Sequence, residues 1–212
     1  MKTILLAGAT GLVGQSVLQL ALADTRVGKI VAPTRRPLSV HPKLENPLVD
    51  FNALPADAPW WQVDSVICTL GTTMHQAGST AAFRRVDFDY PLVVARLALS
   101  RGATAYALNS SLGADPHSKV FYSRTKGEVE AALRSTGYPS FTIVRPGLLG
   151  GHRREFRMGE RLATVVLTLF GPVLPRRYRI VPASFVAKAL LNAALAATPG
   201  ERIIESGQLL AD

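Results

Sequence analysis

Tyr122 and Lys126 stand four residues apart, which on a helix puts both on one face, one turn apart. Ser111 precedes Tyr122 by eleven residues and follows the apolar run 103–108. A hydroxyl, a phenol and an ammonium brought to one place suit the reduction of a carbonyl. A free tyrosine, with a pKa near ~10, is a poor proton donor at neutral pH. A neighbouring ammonium stabilises the phenolate and so eases the transfer. Tyr122 would give the proton in reduction or take it in oxidation. Ser111 would hydrogen-bond the carbonyl oxygen as charge builds on it. Such a Tyr–Lys spacing also arises by chance, so its weight depends on what surrounds it.

The elements needed to position these groups begin at the N-terminal side. Residues 2–7 form a short apolar run that reads as a buried strand. It is followed by Gly8-Ala9-Thr10-Gly11-Leu12-Val13-Gly14, and then by Val17, Leu18, Leu20, Ala21 and Leu22 at helical spacing. A strand, a glycine turn and a helix in this order are the setting in which GxxGxxG binds a dinucleotide. Gly8 is expected to permit the turn, Gly11 to let backbone approach a pyrophosphate, and Gly14 to let the helix pack closely. Free N–H groups at the helix start would hold phosphate. The next apolar run, 29–34, ends in Thr34-Arg35-Arg36-Pro37. That is about 20 residues beyond Gly14, where an NAD site carries an acid for the ribose hydroxyl. Two arginines stand there instead, and guanidinium groups suit a 2′-phosphate. The expected cofactor is therefore NADP(H), although a solvated basic loop would read the same way.

Composition sets bounds on the rest. The chain has 212 residues, 48% hydrophobic and 18% charged, as expected of one globular domain with a full core. Its one cysteine, Cys68, excludes an internal disulfide framework and any multi-cysteine metal site. A single cysteine fits a reducing compartment, and the protein is expected to be cytoplasmic. The run after Lys2 breaks at Gly8, too soon for a signal peptide. No apolar stretch reaches the ~18 residues of a membrane span. Net charge is +9 with a pI near 10.2. Its basic residues are scattered apart from pairs such as Arg35-Arg36, Arg153-Arg154 and Arg176-Arg177 and lack interleaved aromatics, so nucleic acid is not expected. A positive field that favours anionic ligands is the simpler reading.

Along the chain, strands are expected at 47–51, 63–70, 103–108 and 140–144, with a surface loop at 54–61. Asp50 could reach an adenine amino group or simply cap a turn. The 63–70 strand runs into Gly71-Thr72, at a strand end where open α/β sheets bind ligands. Cys68 within that strand reads as a small core residue. A long helix over 81–101 presents Phe83, Val86, Tyr90, Val93, Val94, Leu97 and Ala98 at helical spacing, with a kink or a break near Pro91 and a stop at Gly102. Helices are also expected at 120–135 and 185–197, and a last strand at 202–205. Repeated strand–helix pairs predict an α/β fold: one Rossmann-type, doubly wound parallel sheet with helices on both faces, spanning 1–212.

With these motifs in place, the chain resembles the atypical short-chain dehydrogenases/reductases, in the branch of the Tat-interacting oxidoreductase. The resemblance rests on Gly8-x-x-Gly11-x-x-Gly14, Arg35-Arg36, Ser110-Ser111-Leu112-Gly113, Tyr122-x-x-x-Lys126 with Lys126-Gly127-Glu128-Val129-Glu130, and Arg145-Pro146-Gly147-Leu148-Leu149. It covers positions 4 to about 160 and is weak beyond them. It implies bound NADPH, touched by Thr10, Gly11, Leu12, Val13, Arg35, Arg36, Leu70, Gly71, Tyr122, Lys126, Leu149 and Arg157. Thr34 and Thr72 join that set by position. Many members place an asparagine on the middle helix to complete a proton relay. None occurs between Ala81 and Arg101, so water or another group must serve.

The reading that follows is an NADPH-dependent oxidoreductase acting on a small carbonyl or alcohol, as a monomer or homodimer. Relatives include NADPH-binding redox sensors with little turnover, and fold alone does not choose between these. A sugar-nucleotide epimerase or dehydratase shares the motif but needs more chain after Arg145; a flavin or biliverdin type reductase is a further alternative. Residues 148–182 are expected to cover the substrate side, with Arg-rich 153–179 either a mobile lid or a fixed, packed helix.

Overall fold

The computed structural model describes residues 1–150 and 179–210. Its seven-stranded sheet is built from β1 (Lys2–Ala7), β2 (Val27–Val31), β3 (Leu44–Glu45), β4 (Ser65–Cys68), β5 (Ala105–Asn109), β6 (Ser140–Arg145) and β9 (Gly200–Glu205). The order is β3-β2-β1-β4-β5-β6-β9, and every pair is parallel. Parallel strands must be covered on both faces, so their sequences are continuously apolar rather than alternating. Ile4, Leu5, Leu6 and Ala7 in β1, and all four residues of β4, are buried accordingly.

The two faces carry separate cores. On one, Val13, Val17 and Ala21 of α1 (Leu12–Ala23) meet Val186, Ala187, Leu190 and Ala194 of α6 (Ala183–Ala196), over Ile4, Leu6 and Ile30 of the sheet. On the other, Val94, Ala95 and Ala98 of α4 (Tyr90–Ser100) and Val129 and Leu133 of α5 (Phe121–Arg134) cover Leu5, Val66 and Leu108. The chain is thus a single doubly wound, Rossmann-like domain. Chain direction reverses its spatial order between β1 and β4, so the crevice for ligands opens beyond the C-terminal ends of those strands.

Three expectations are corrected. The strand expected at 47–51 is instead Leu44–Glu45, followed by one isolated bridge between Thr34 and Leu48. Pro47 has no N–H to give a ladder, and the Asn46 side chain takes its place by donating to the Ala32 carbonyl (2.6 Å) and to Thr34 Oγ1 (2.8 Å). The expected surface loop at 54–61 ends in a 3₁₀ turn, Pro59–Trp61, and buries Trp61 completely. The Trp61 indole N–H is satisfied by the Pro55 carbonyl at 2.7 Å, which lets the ring enter the core.

The third correction bears on the site. The expected helix over 81–101 is α3 (Thr80–Arg84), a π turn at Arg85–Asp89, and then α4. Pro91 cannot donate to the carbonyl four residues back, and its ring crowds that carbonyl. The backbone widens instead: Tyr90 N–H reaches the Arg85 carbonyl, an i to i−5 bond. The extra residue rotates the stripe, so Asp87 is buried (1% exposed) and Val86 only half-buried. Tyr106 fixes the turn from below, its hydroxyl donating to the Pro91 carbonyl at 3.1 Å.

Candidate active site

The glycine turn is tight for reasons each residue shows. Gly8 has φ +91°, and a side-chain carbon there would lie 2.7 Å from the Thr69 backbone. At Gly14 it would lie 2.0 Å from the Gly8 carbonyl oxygen, inside the closest possible contact. At Gly11 it would meet nothing nearer than that same oxygen at 3.4 Å, so its outer side is open. Gly11 N–H donates to Gly8 O at 3.0 Å and closes the turn. No side chain caps α1, and no acidic residue occupies its first turn. Exposed backbone at Thr10 and Gly11, before an uncapped helix start, fits an anionic diphosphate.

Ser110 and Ser111 part company at the end of β5. Ser110 is buried and donates to Glu130 Oε1 at 2.5 Å. The Glu130 carboxylate, itself 1% exposed, also accepts from Arg145 Nε (3.0 Å) and Nη2 (2.5 Å), while Arg145 Nη1 donates to Glu205 at 3.1 Å. The hydrogen bonds that Arg145 donates to Glu130 raise the Arg145 pKa further despite burial. β5, α5, β6 and β9 are tied together by this cluster. Ser111, half-buried, stays outside it, its hydroxyl donating to the Leu112 carbonyl at 3.4 Å. Its loop is held down on α5: Asp115 N–H donates to the Ser123 carbonyl at 3.0 Å. A side chain at Gly127 would strike Pro116 N at 2.1 Å, so only glycine admits this crossing.

On α5, Tyr122 lies partly exposed (38%), its ring edge-on to Phe83 at 5.8 Å. Lys126, one turn on, is buried, with a side chain 7% exposed. Its ammonium sits 2.7 Å from Asp87 Oδ1, and Asp87 Oδ2 accepts from Thr72 N–H at 2.8 Å. Burial works to lower the Lys126 pKa, but the charges of Asp87 and Tyr122 and the Asp87 hydrogen bond outweigh it and leave it raised. Lys126 is therefore held as an ammonium in a dry setting. Asp87 escaped the sequence reading. Its signal was an acid four residues after Phe83 and seven before Val94, on what is otherwise an apolar stripe.

Other expected residues fall at strand ends around the crevice. Leu70, Gly71 and Thr72 follow β4, and Gly71 is exposed. Thr34 is buried, its hydroxyl donating to the Arg36 carbonyl at 2.6 Å, which shapes the turn that leaves Arg35 and Arg36 exposed. Asp50 caps a turn, accepting from Asn52 N–H (2.9 Å) and Nδ2 (2.8 Å). Burial, opposed only in part by a Tyr106 hydrogen bond, raises the Cys68 thiol pKa, which fits its core placement. Leu149 lies in β7 (Leu149–Gly150), which pairs with β8 (Val181–Pro182). Arg157 and most of the expected cover, 151–178, lie outside the described residues. No helix among the described residues is long and apolar enough to cross a membrane.

No family model matches the chain. Individual relatives do. The chain is 37% identical over 199 residues to Protein HTATIP2 of Rattus norvegicus, covering 90% of this chain and 80% of the relative. It is 33% identical over 220 residues to the mitochondrial Protein FMP52 of Coccidioides immitis, covering 94% and 88%. The chain belongs to the HTATIP2/FMP52 family of atypical short-chain dehydrogenases/reductases. For the HTATIP2/FMP52 family the Rossmann-like architecture is borne out by solved structures. One is the Bordetella bronchiseptica enzyme WbmH in complex with NAD⁺, at a TM-score of 0.69 and 16% identity, covering 97% of this chain and 76% of that one. The relatives also correct the expected cytoplasmic location. The FMP52 members are named as mitochondrial, and a lone buried cysteine does not distinguish one reducing compartment from another.

Proposed function

We propose that the protein is an NADPH-dependent oxidoreductase for a small carbonyl or alcohol. The glycine turn and α1 would hold the diphosphate, Arg35 and Arg36 the 2′-phosphate, and Lys126 the ribose hydroxyls. A bound nicotinamide would supply or accept the hydride. In reduction, Tyr122 gives its phenolic proton to the carbonyl oxygen as hydride reaches the carbon, and an alcohol results; oxidation runs the same transfers backward. Ser111 donates a hydrogen bond to that oxygen while it carries negative charge. Lys126 stabilises Tyr122 as it loses its proton. The observation that supports this reading is Lys126: a buried, charged ammonium, one helical turn from a partly exposed tyrosine, beside a serine loop clamped to the same helix.

Tyr122→Phe is the test, on a substrate found by following loss of NADPH absorbance. The ring remains while the proton goes. Turnover should fall by ~10²–10⁴, with NADPH affinity nearly unchanged. Wild-type turnover in Tyr122→Phe refutes the mechanism. A wild-type protein that binds NADPH tightly but reduces no carbonyl replaces it with an NADPH-loaded regulator.

A further inference from the structure

Asp87 does more than occupy a buried position. It leaves the helix at its one π turn, where Pro91 forces the backbone to widen. Its two oxygens reach two separate elements, the Lys126 ammonium of α5 and the Thr72 N–H beyond β4. Gly71 lies on top of the pair: a side-chain carbon there would sit 3.5 Å from Asp87 Oδ1 and 3.7 Å from Lys126 Nζ. Packing alone does not require this, because apolar residues of similar volume hold buried helices together at least as well as an ion pair. A carboxylate is what lets one side chain neutralise a lysine and anchor a backbone N–H together.

We propose that Asp87 is a positioning residue of this site, holding the Lys126 ammonium and the Gly71–Thr72 turn as one rigid unit beneath the cofactor. The proposal rests on the oxidoreductase reading of the site. The groups that face Lys126 are Asp87 from the π turn, Tyr122 one turn earlier on α5, and Cys68 at the end of β4. Asp87 is the carboxylate among them. Without its charge, burial acts on Lys126 with less opposition and favours the neutral amine.

The experiment follows the Lys126 side chain directly, by NMR of lysine-labelled protein across pH without cofactor. Asp87→Asn keeps the shape and an acceptor for Thr72 N–H but removes the charge. Lys126 should then titrate at least ~1 pH unit below wild type, a tenfold change in its protonation equilibrium. Asp87→Glu, which restores the charge, should recover much of that unit. On a turned-over substrate, the alkaline limb of kcat should move down by the same amount in Asp87→Asn. An unmoved Lys126 titration in Asp87→Asn overturns the proposal, as does a uniform loss of activity and Tm with the pH profile in place. The titration needs no turnover, so failure to find a carbonyl substrate removes the oxidoreductase reading alone.

Discussion

Glu130→Gln tests whether the buried cluster behind Ser110 holds the strand ends in place. The side chain is 1% exposed and accepts three hydrogen bonds of 2.5–3.0 Å, two from Arg145 and one from Ser110. Glutamine keeps the volume but has one acceptor oxygen and an NH₂ that must face donors. Breaking a buried pair from one side costs about 3–5 kcal/mol. Arg145 is 20% exposed and keeps Glu205, so part of its charge is rehydrated and the expected loss is about 2–4 kcal/mol. At about 2–4 °C per kcal/mol for a domain of this size, Tm should fall by about 5–15 °C. Urea unfolding and circular dichroism melts measure both quantities. The double variant Glu130→Leu/Arg145→Met, which removes both charges, should recover most of the loss. Stability of Glu130→Gln within ~0.5 kcal/mol of wild type, the range of an ordinary surface substitution, refutes the argument.

Four further outcomes are expected. Gly14→Ala places a methyl 2.0 Å from the Gly8 carbonyl oxygen, where only backbone can yield, and should cost about 3 kcal/mol or more in urea unfolding. Gly11→Ala meets that oxygen at 3.4 Å, so it should lose about 1 kcal/mol or less while weakening NADPH binding in a fluorescence titration. Arg35→Ala/Arg36→Ala should erase a preference for NADPH over NADH of at least ~10-fold, with no change in Tm. Ala197 ends α6 in the left-handed region (φ 46°, ψ 41°), so Ala197→Gly should gain about 0.5–1 kcal/mol and raise Tm by a few degrees.

The fold was legible because its signals are local. Each strand of a covered parallel sheet is a short apolar run, and each helix repeats every three to four residues. The glycine turn, Ser111, Tyr122 and Lys126 were legible for the same reason. Asp87 was not, because its meaning depends on a π turn that shifts the buried stripe by one residue. Pro91 announced a disturbance near 91 without giving its direction. The partner of Glu130 was equally hidden: Arg145 lies fifteen positions later in sequence, and only the parallel register of β5 and β6 brings Ser110, Glu130 and Arg145 together. Trp61 was misread because a Pro/Ala-rich stretch resembles a surface loop, whereas one indole hydrogen bond lets it close over the core.

The pairing of β7 with β8 sets Leu149 beside Val181 and Gly150 beside Pro182, with Val181 N–H donating to the Leu148 carbonyl at 2.8 Å. The chain leaves β6 and returns to α6 through one doorway. An excursion whose two ends already touch can be lengthened, shortened or exchanged without moving either neighbour, because doubling a loop adds only about 0.6 kcal/mol of closure entropy. Gly150 and Val181 are thus natural splice points. Segments of different length can be joined at this doorway while β1 and its glycine turn stay in place.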